Sequence, residues 1–325
     1  MPSSVPELGL LDDAWILARR GPRNAVSPER PYAHLVETER TADGRILRTL
    51  TVLITNRECP YRCLMCDLWK NTTTSPVPEG AVADQIAWVL NALAEPDATP
   101  GAPAEVLKLY NAGSFFDSAA IPRADWARIV ELSAPFETVI VESHPRLIDR
   151  RCLELADALA GRLQVAMGLE TVDPEVLPRL NKRMTVQDFE RATRFLLDHD
   201  IEVRAFILIR APFQSEAEGV EWAQRSIDTA FAMGVECCVV IPTRAGNGAM
   251  ERLAELGHYA PPSMRSIEAV LDYGVGLDDG RVFVDLWDIE KFSTCPQCGT
   301  ARRERLNRTN LTQQRQDPAN CSCQS

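Results

Sequence analysis

The chain has 325 residues, 45% of them hydrophobic and 25% charged, which excludes a disordered or fibrous protein and allows a sizeable core in one large domain or two. Its 46 acidic and 35 basic side chains leave a net charge of −11, which argues against nonspecific coating of nucleic acid but leaves a local basic groove open. No basic segment followed by an apolar run opens the chain and no stretch approaches the ~20 apolar residues that span a bilayer, so a soluble, cytoplasmic protein without a membrane partner is expected.

The first 48 residues hold Pro, Gly and charge clusters and are expected to cover the fold rather than to form a domain. Apolar runs of strand length then recur at 49–55, 106–110, 138–142, 163–168, 203–209 and 236–241. Segments with helical spacing lie between them at 82–94, 123–132, 146–160, 185–199 and 215–233. This alternation predicts a parallel sheet with right-handed crossovers, either open and doubly wound or curled into a partial barrel. Both architectures place reactive residues at the C-terminal ends of strands. From about residue 246 the rhythm is expected to stop, leaving a helix at 266–273, a strand at 281–286 and a Cys-bearing tail. The expected division is an N-terminal extension 1–48, a core 49–245 and a C-terminal region 246–325.

Of the ten cysteines, three sit within eight residues and four lie near the C-terminus, which is metal-site clustering in a reducing compartment rather than a disulfide framework. The first group follows the first expected strand as Cys59-Pro-Tyr-Arg-Cys63-Leu-Met-Cys66. Thiolates are the soft ligands that iron–sulfur clusters need, and three of them leave one iron open to a ligand from outside the protein. A zinc knuckle here would lack a local fourth ligand.

This spacing after a first strand resembles the fingerprint of the radical S-adenosylmethionine (radical SAM) superfamily, over roughly residues 49–242. The resemblance implies an α/β fold, a partial (β/α)6 TIM-like barrel with an N-terminal extension and a Cys-rich tail. It implies a [4Fe–4S] cluster on Cys59, Cys63 and Cys66, with SAM chelating the open iron. Reductive cleavage of SAM would give methionine and a 5′-deoxyadenosyl radical that abstracts a substrate hydrogen. Met65 would lie against adenine, and a small electron carrier such as flavodoxin or ferredoxin would supply the electron.

In the segment Asn111-Ala-Gly-Ser-Phe-Phe-Asp117, the family likeness implies that Gly113 and Ser114 meet the SAM amino group. The commoner family form here is Gly-Gly-Glu, and an ordinary turn is the other reading. Glu142 and Glu170 end the third and fourth core strands, where carboxylates can accept from ribose hydroxyls or an ammonium. Gly168-Leu-Glu170 resembles the family's Gly-x-Glu ribose contact. His144 is either a loop residue or a proton donor. Lys182 and Arg183 either neutralise the SAM carboxylate or a substrate phosphate, or are solvated; Arg204 and Arg210 share that ambiguity. Arg204, inside an apolar run, is expected to face a polar lumen. Cys152, Cys237 and Cys238 read as small buried hydrophobes.

Near the end, Cys295-Pro-Gln-Cys298 and Cys321-Ser-Cys323 together offer four thiolates, enough for a Zn²⁺ ion or a second iron–sulfur cluster. The Arg-rich stretch 302–308 and Arg315 either grip phosphate or lie on a solvated helix. Three stretches, TNRECPYRCLMCDLWKNTT, YNAGSFFD and VDLWDIEKF followed by Cys-x2-Cys, are similar to the family containing the radical SAM subunit of archaeosine synthase. That likeness implies breakage of a C–N bond in a lysine-bearing 7-deazaguanine base of tRNA, after a partner enzyme attaches the lysine. The competing readings are a radical SAM enzyme acting on a small molecule or peptide, and a noncatalytic Fe–S or zinc binding module.

Overall fold

A computed structural model describes residues 11–94, 103–321 and 323. In chain order the elements are α1 (Asp13–Leu17), β1 (Ala33–Arg40), β2 (Ile46–Ile54), α2 (Ala81–Ala94), β3 (Val106–Asn111), α3 (Trp126–Ser133), β4 (Thr138–Glu142), α4 (Arg150–Ala158) and β5 (Arg162–Glu170). They continue with α5 (Val186–Leu197), β6 (Glu202–Ile209), α6 (Glu216–Ala232), β7 (Cys237–Pro242), α7 (Ala249–Glu255), α8 (Met264–Val275), β8 (Arg281–Val284) and α9 (Gly299–Thr312). All eight strands stand in chain order in one sheet, with β1 antiparallel to β2 and every later pair parallel.

The parallel strands form because their runs are apolar on both faces, as burial under crossover helices requires. Leu50, Val52, Leu107, Val165 and Ile207 pack outward against Ile86, Phe189 and Ile227 of the helices. Side chains on the opposite face point into a lumen floored by Leu47, Val106, Ile140 and Ala166. Helix starts follow local chemistry: Thr185 with Asp188, and Ser215 with Glu218, form reciprocal capping boxes ahead of α5 and α6.

An ion pair decides between the open and curled sheets. Arg204 of β6 meets Glu39 of β1 at 2.5 Å. Five strand steps at about 4.8 Å each would separate them by roughly 24 Å in a flat sheet. The sheet is therefore a curled partial barrel, and Arg204 faces its lumen.

Two strands differ from the sequence expectation. β1 lies within the stretch read as a mere cover, and β8 continues the parallel order where the rhythm was expected to stop. β1 escapes notice because it is a polar edge strand whose Glu37 and Glu39 meet Lys108 across the lumen at 2.9 and 2.6 Å. Among the described residues no helix is long and apolar enough to cross a membrane.

Candidate active site

The segment from Cys59 to Cys66 leaves the C-terminal end of β2 and is gripped by loops from other strand ends. The Cys59 N–H donates to Ala112 O (3.2 Å) beyond β3, and the Leu64 N–H donates to Leu180 O (2.8 Å) beyond β5. Asn181 Nδ2 donates to Arg62 O at 2.8 Å. Beyond β7, Asn247 Nδ2 donates to Leu64 O (2.8 Å) and Cys66 O (3.1 Å). Glu58 joins the loop to the N-terminal segment, accepting from Arg20 at 2.6 Å and pairing with Arg23 and Arg62. Asn247 and the Arg20–Glu58 pair carry no spacing or motif signal, so sequence reasoning passes over them.

None of the three loop cysteines is in a disulfide. Burial pushes each thiol up to about 12. Such thiols ionise when a cation replaces the lost water, which is the circumstance of metal ligation. Among the described residues, only the C-terminal cysteines bring three or more ligand atoms within 4.8 Å of one another.

At the end of β5 the strand register shifts between Gly168 and Glu170, and Glu170 takes a left-handed φ of 65°. That backbone is strained for a residue with a Cβ and recurs at functional sites. It turns the Glu170 carboxylate back over Gly168, where Lys182 Nζ donates to it at 2.6 Å, both side chains being buried. A Cβ at Gly168 would collide with both the carboxylate and the ammonium, which is the physical reason for glycine in Gly168-Leu-Glu170. Burial opposes the charge on Lys182, but Glu170, Cys63 and Cys59 outweigh it and raise its pKa. Lys182 is thus a buried partner of Glu170 rather than a solvated cation.

Glu142 lies at the end of β4, accepts the Asn111 N–H at 3.3 Å, and is pushed up to about 8 by burial. The Asn111 side chain is 1% exposed, and neither atom of its amide meets a partner in the protein. A Cβ at Gly113 would lie 3.5 Å from Asn111 Nδ2 and 3.5 Å from the Cβ of Cys59, so a bare glycine, an orphaned amide and a candidate ligand adjoin. Buried amides without partners mark a place for a polar ligand. These residues fit a cluster with a polar molecule at its open iron. Asn111 was quoted within the turn but not singled out, because an Asn after a strand reads as turn chemistry.

Ser114 is turned away from that place: its Oγ accepts from the His144 N–H at 2.8 Å. His144 stacks on Tyr61, with centroids 3.7 Å apart and planes 8° apart. Its Nδ1 accepts from the Arg146 N–H (3.2 Å) and its Nε2 faces Lys182 O (2.9 Å), which together assign the Nε2–H tautomer. Burial, aided by Lys182, lowers it to about 3. His144 is a neutral clamp, not a proton donor. Met65 packs with Leu177, Leu180 and Phe213.

Two expectations need correction. Arg204, left open above between neutralising the SAM carboxylate or a substrate phosphate and lying in solvent, instead spends its donors on Gln164 and Glu39 in the lumen. The Arg-rich stretch 302–308 lies on α9, where Arg302 and Arg305 are buried against Glu268 and Asp272 of α8. Packing, rather than phosphate, accounts for those two guanidinium groups. Arg210 is likewise paired, with Glu216. Cys237 and Cys238 are buried on opposite faces of β7, and Cys152 is buried in α4.

The structure is a curled parallel sheet with a three-cysteine loop at the end of its first parallel strand, the arrangement that the resemblance to the radical SAM superfamily implies. No family model matches this chain. It is similar to an uncharacterized protein of Methanocaldococcus jannaschii, 23% identical over 316 residues that cover 90% of this chain and 84% of that protein. It is also similar to archaeosine synthase subunit beta of Thermococcus kodakarensis, 28% identical over 215 residues. That match covers 64% of this chain and 65% of the relative, so the chain spans just under two thirds of it. Among solved structures, archaeal Elp3 of Methanocaldococcus infernus with an N-terminal deletion shares the fold at a TM-score of 0.52 and 15% identity. The match covers 70% of this chain and 59% of that one.

Proposed function

We propose that Cys59, Cys63 and Cys66 hold a [4Fe–4S] cluster whose open iron takes SAM, and that the enzyme modifies a 7-deazaguanine-type base of tRNA by breaking a C–N bond. The observation that carries the first half is the loop itself: three unbridged, half-buried thiols clasped at the strand ends beside Asn111 and the Glu170–Lys182 pair. When bound, the cluster and SAM supply a 5′-deoxyadenosyl radical able to abstract hydrogen from an unactivated carbon. The protein's part is to bind and orient. Asn111 offers both a donor and an acceptor, Gly113 allows close backbone approach, and Glu170 and Lys182 present a fixed charge pair. Glu142, held neutral by burial, can donate as well as accept. Residues 49–245 would carry this chemistry, with an electron carrier of the flavodoxin or ferredoxin kind as reductant and the four C-terminal thiols holding a separate metal.

The tRNA half rests on likeness to the relative named archaeosine synthase subunit beta, whose name also implies a companion subunit. In this reading the lysine-attaching enzyme is that companion. A specific observation favours a second reading, a small-molecule or peptide substrate: Arg302 and Arg305, from the most basic stretch, are buried in ion pairs rather than offered to phosphate. The test is anaerobic reconstitution with iron, sulfide and dithionite. SAM should yield 5′-deoxyadenosine, and a C59A/C63A/C66A chain should yield none. Failure of the fully loaded wild-type chain to cleave SAM would leave only a binding module. Adding lysine-modified tRNA should give a product of altered base mass; no binding and no product with tRNA would favour the second reading.

A further inference from the structure

The four C-terminal cysteines and α9 form a single device. The Sγ atoms of Cys295, Cys298, Cys321 and Cys323 all lie within 4.8 Å of one another. Cys295 and Cys321 are 3.8 Å apart, and Cys298 and Cys323 are 3.3 Å apart. Thiolates bound at about 2.3 Å to one tetrahedral ion stand roughly 3.8 Å from each other. An iron–sulfur cluster distributes its thiolates over different irons and needs them farther apart. The set therefore suits one closed tetrahedral ion, and zinc is the usual occupant of a four-cysteine structural site.

The position of this set matters more than its composition. Cys295 and Cys298 immediately precede α9, and Cys321 and Cys323 come back to them from beyond its far end. α9 lies along the outer side of β8, the last strand of the sheet. The Arg281 and Asp285 N–H groups bond inward to Glu236 O and Val240 O on the β7 side, so Val282 and Val284 turn their N–H and C=O groups outward. Such an edge invites pairing with another chain unless it is covered. Here two side-chain amides cover it. Asn310 accepts from the Val284 N–H (3.0 Å) and donates to Val284 O (2.9 Å). Gln313 accepts from the Val282 N–H (2.8 Å) and donates to Val282 O (2.9 Å). Each amide thus makes the paired bonds that a ninth strand would make. α9 also contacts β1, so it bridges the two ends of the curled sheet.

We propose that Cys295, Cys298, Cys321 and Cys323 bind one zinc ion, and that this ion fixes α9 at the register in which Asn310 and Gln313 cap the free edge of β8. This rests on the metal reading of these cysteines above and is independent of radical chemistry. The ion does no redox work; it ties the two flanks of α9 together, adding to the hold that Leu306 has on the main core.

The experiment uses the full-length chain and reads metal content and amide exchange. Elemental analysis should give one zinc per chain, retained in a C59A/C63A/C66A variant and lost from C295S/C298S. Chelating the zinc from wild-type protein should speed exchange of the Val282 and Val284 amides on the order of tenfold or more, since their bonds to Asn310 and Gln313 would open. An N310A/Q313A variant should keep its zinc yet show the same fast exchange at those two amides. Chelation of the wild-type chain keeps the test valid even where C295S/C298S fails to fold. Absence of zinc, iron that persists in C59A/C63A/C66A but vanishes in C295S/C298S, or unchanged Val282 and Val284 exchange after chelation would each overturn the proposal. Because 5′-deoxyadenosine formation is not read here, a chain with zinc and a capped edge but no SAM cleavage would sink only the functional reading.

Discussion

Glu142 and Glu170 end neighbouring strands, yet their surroundings give them different chemistry. Glu170 has an ammonium at 2.6 Å, whereas Glu142 has one backbone N–H and no cation in contact, so burial dominates and pushes it up to about 8. A carboxyl raised in the folded state contributes stability that is fully present below its unfolded value of about 4.3 and is lost as pH rises through about 8. Between those limits the folded chain binds one more proton than the unfolded one, so stability should fall by about 1.4 kcal/mol per pH unit from this group. Glu142→Gln should flatten that slope and leave the variant relatively more stable at pH 8. Denaturant midpoints on iron-free protein from pH 5 to 8 would check it; parallel wild-type and variant profiles would contradict it. At this scale the sequence was legible where chemistry fixes spacing, as in Cys59, Cys63, Cys66 and Gly168-Leu-Glu170. It was not legible where a partner comes from far away: nothing near Asn111 reveals that its amide is left without one, and nothing near Arg204 names Glu39.

β1 shows how an element can be essential and still unreadable. The parallel strands announce themselves as unbroken apolar runs because both their faces are covered. β1 pairs on one side, and two of its inward positions are glutamates, so its pattern of Ala-His-Leu-Val-Glu-Thr-Glu-Arg lacks the apolar run of a strand. Its glutamates neutralise the lumen instead: Glu39 alone meets Lys108 and Arg204, and its pKa is held well below the carboxylate range because those cations outweigh the burial that opposes them. Glu39→Ala would leave the buried Arg204 without a carboxylate and Lys108 with Glu37 alone, and should destabilise the chain by roughly 3–5 kcal/mol. Urea denaturation measures this; a loss under about 1 kcal/mol would mean that the pair is solvated and weak. β8 was read as a strand, but its place was not, because a run of Arg-Val-Phe-Val carries no sign of which strand it joins.

For the whole molecule, the consequence is that the stretch from 49 to 245 is not self-sufficient. Removing the residues before it takes away Glu37 and Glu39; removing those after it uncovers the edge of β7 and deletes α8, whose Met264, Ile267 and Leu271 belong to the main core. A 49–245 fragment should therefore be insoluble or lack a cooperative thermal transition, whereas the full chain should show one. A soluble fragment that melts cooperatively would show that the flanks only decorate the barrel. The expected three-part division rests on where turn-forming residues and charge change along the chain. That the flanks share the same sheet was not legible, since β1 carries no apolar run and nothing in the pattern of β8 names the strand it pairs with.

The clasp around the cysteine loop also sets a timetable. Leu64 O takes its hydrogen bond from Asn247, 183 residues later, and the Leu64 N–H waits for Leu180. During synthesis, which proceeds from the N-terminus, the three cysteines emerge early but have no fixed shape until the chain past Asn247 has appeared. A nascent chain shorter than that exposes three mobile thiols open to oxidation or to stray metal. Under the proposed function, cluster delivery to this loop would be a late event, suited to a nearly finished chain, and the interval before it is when the loop would be most vulnerable to oxygen.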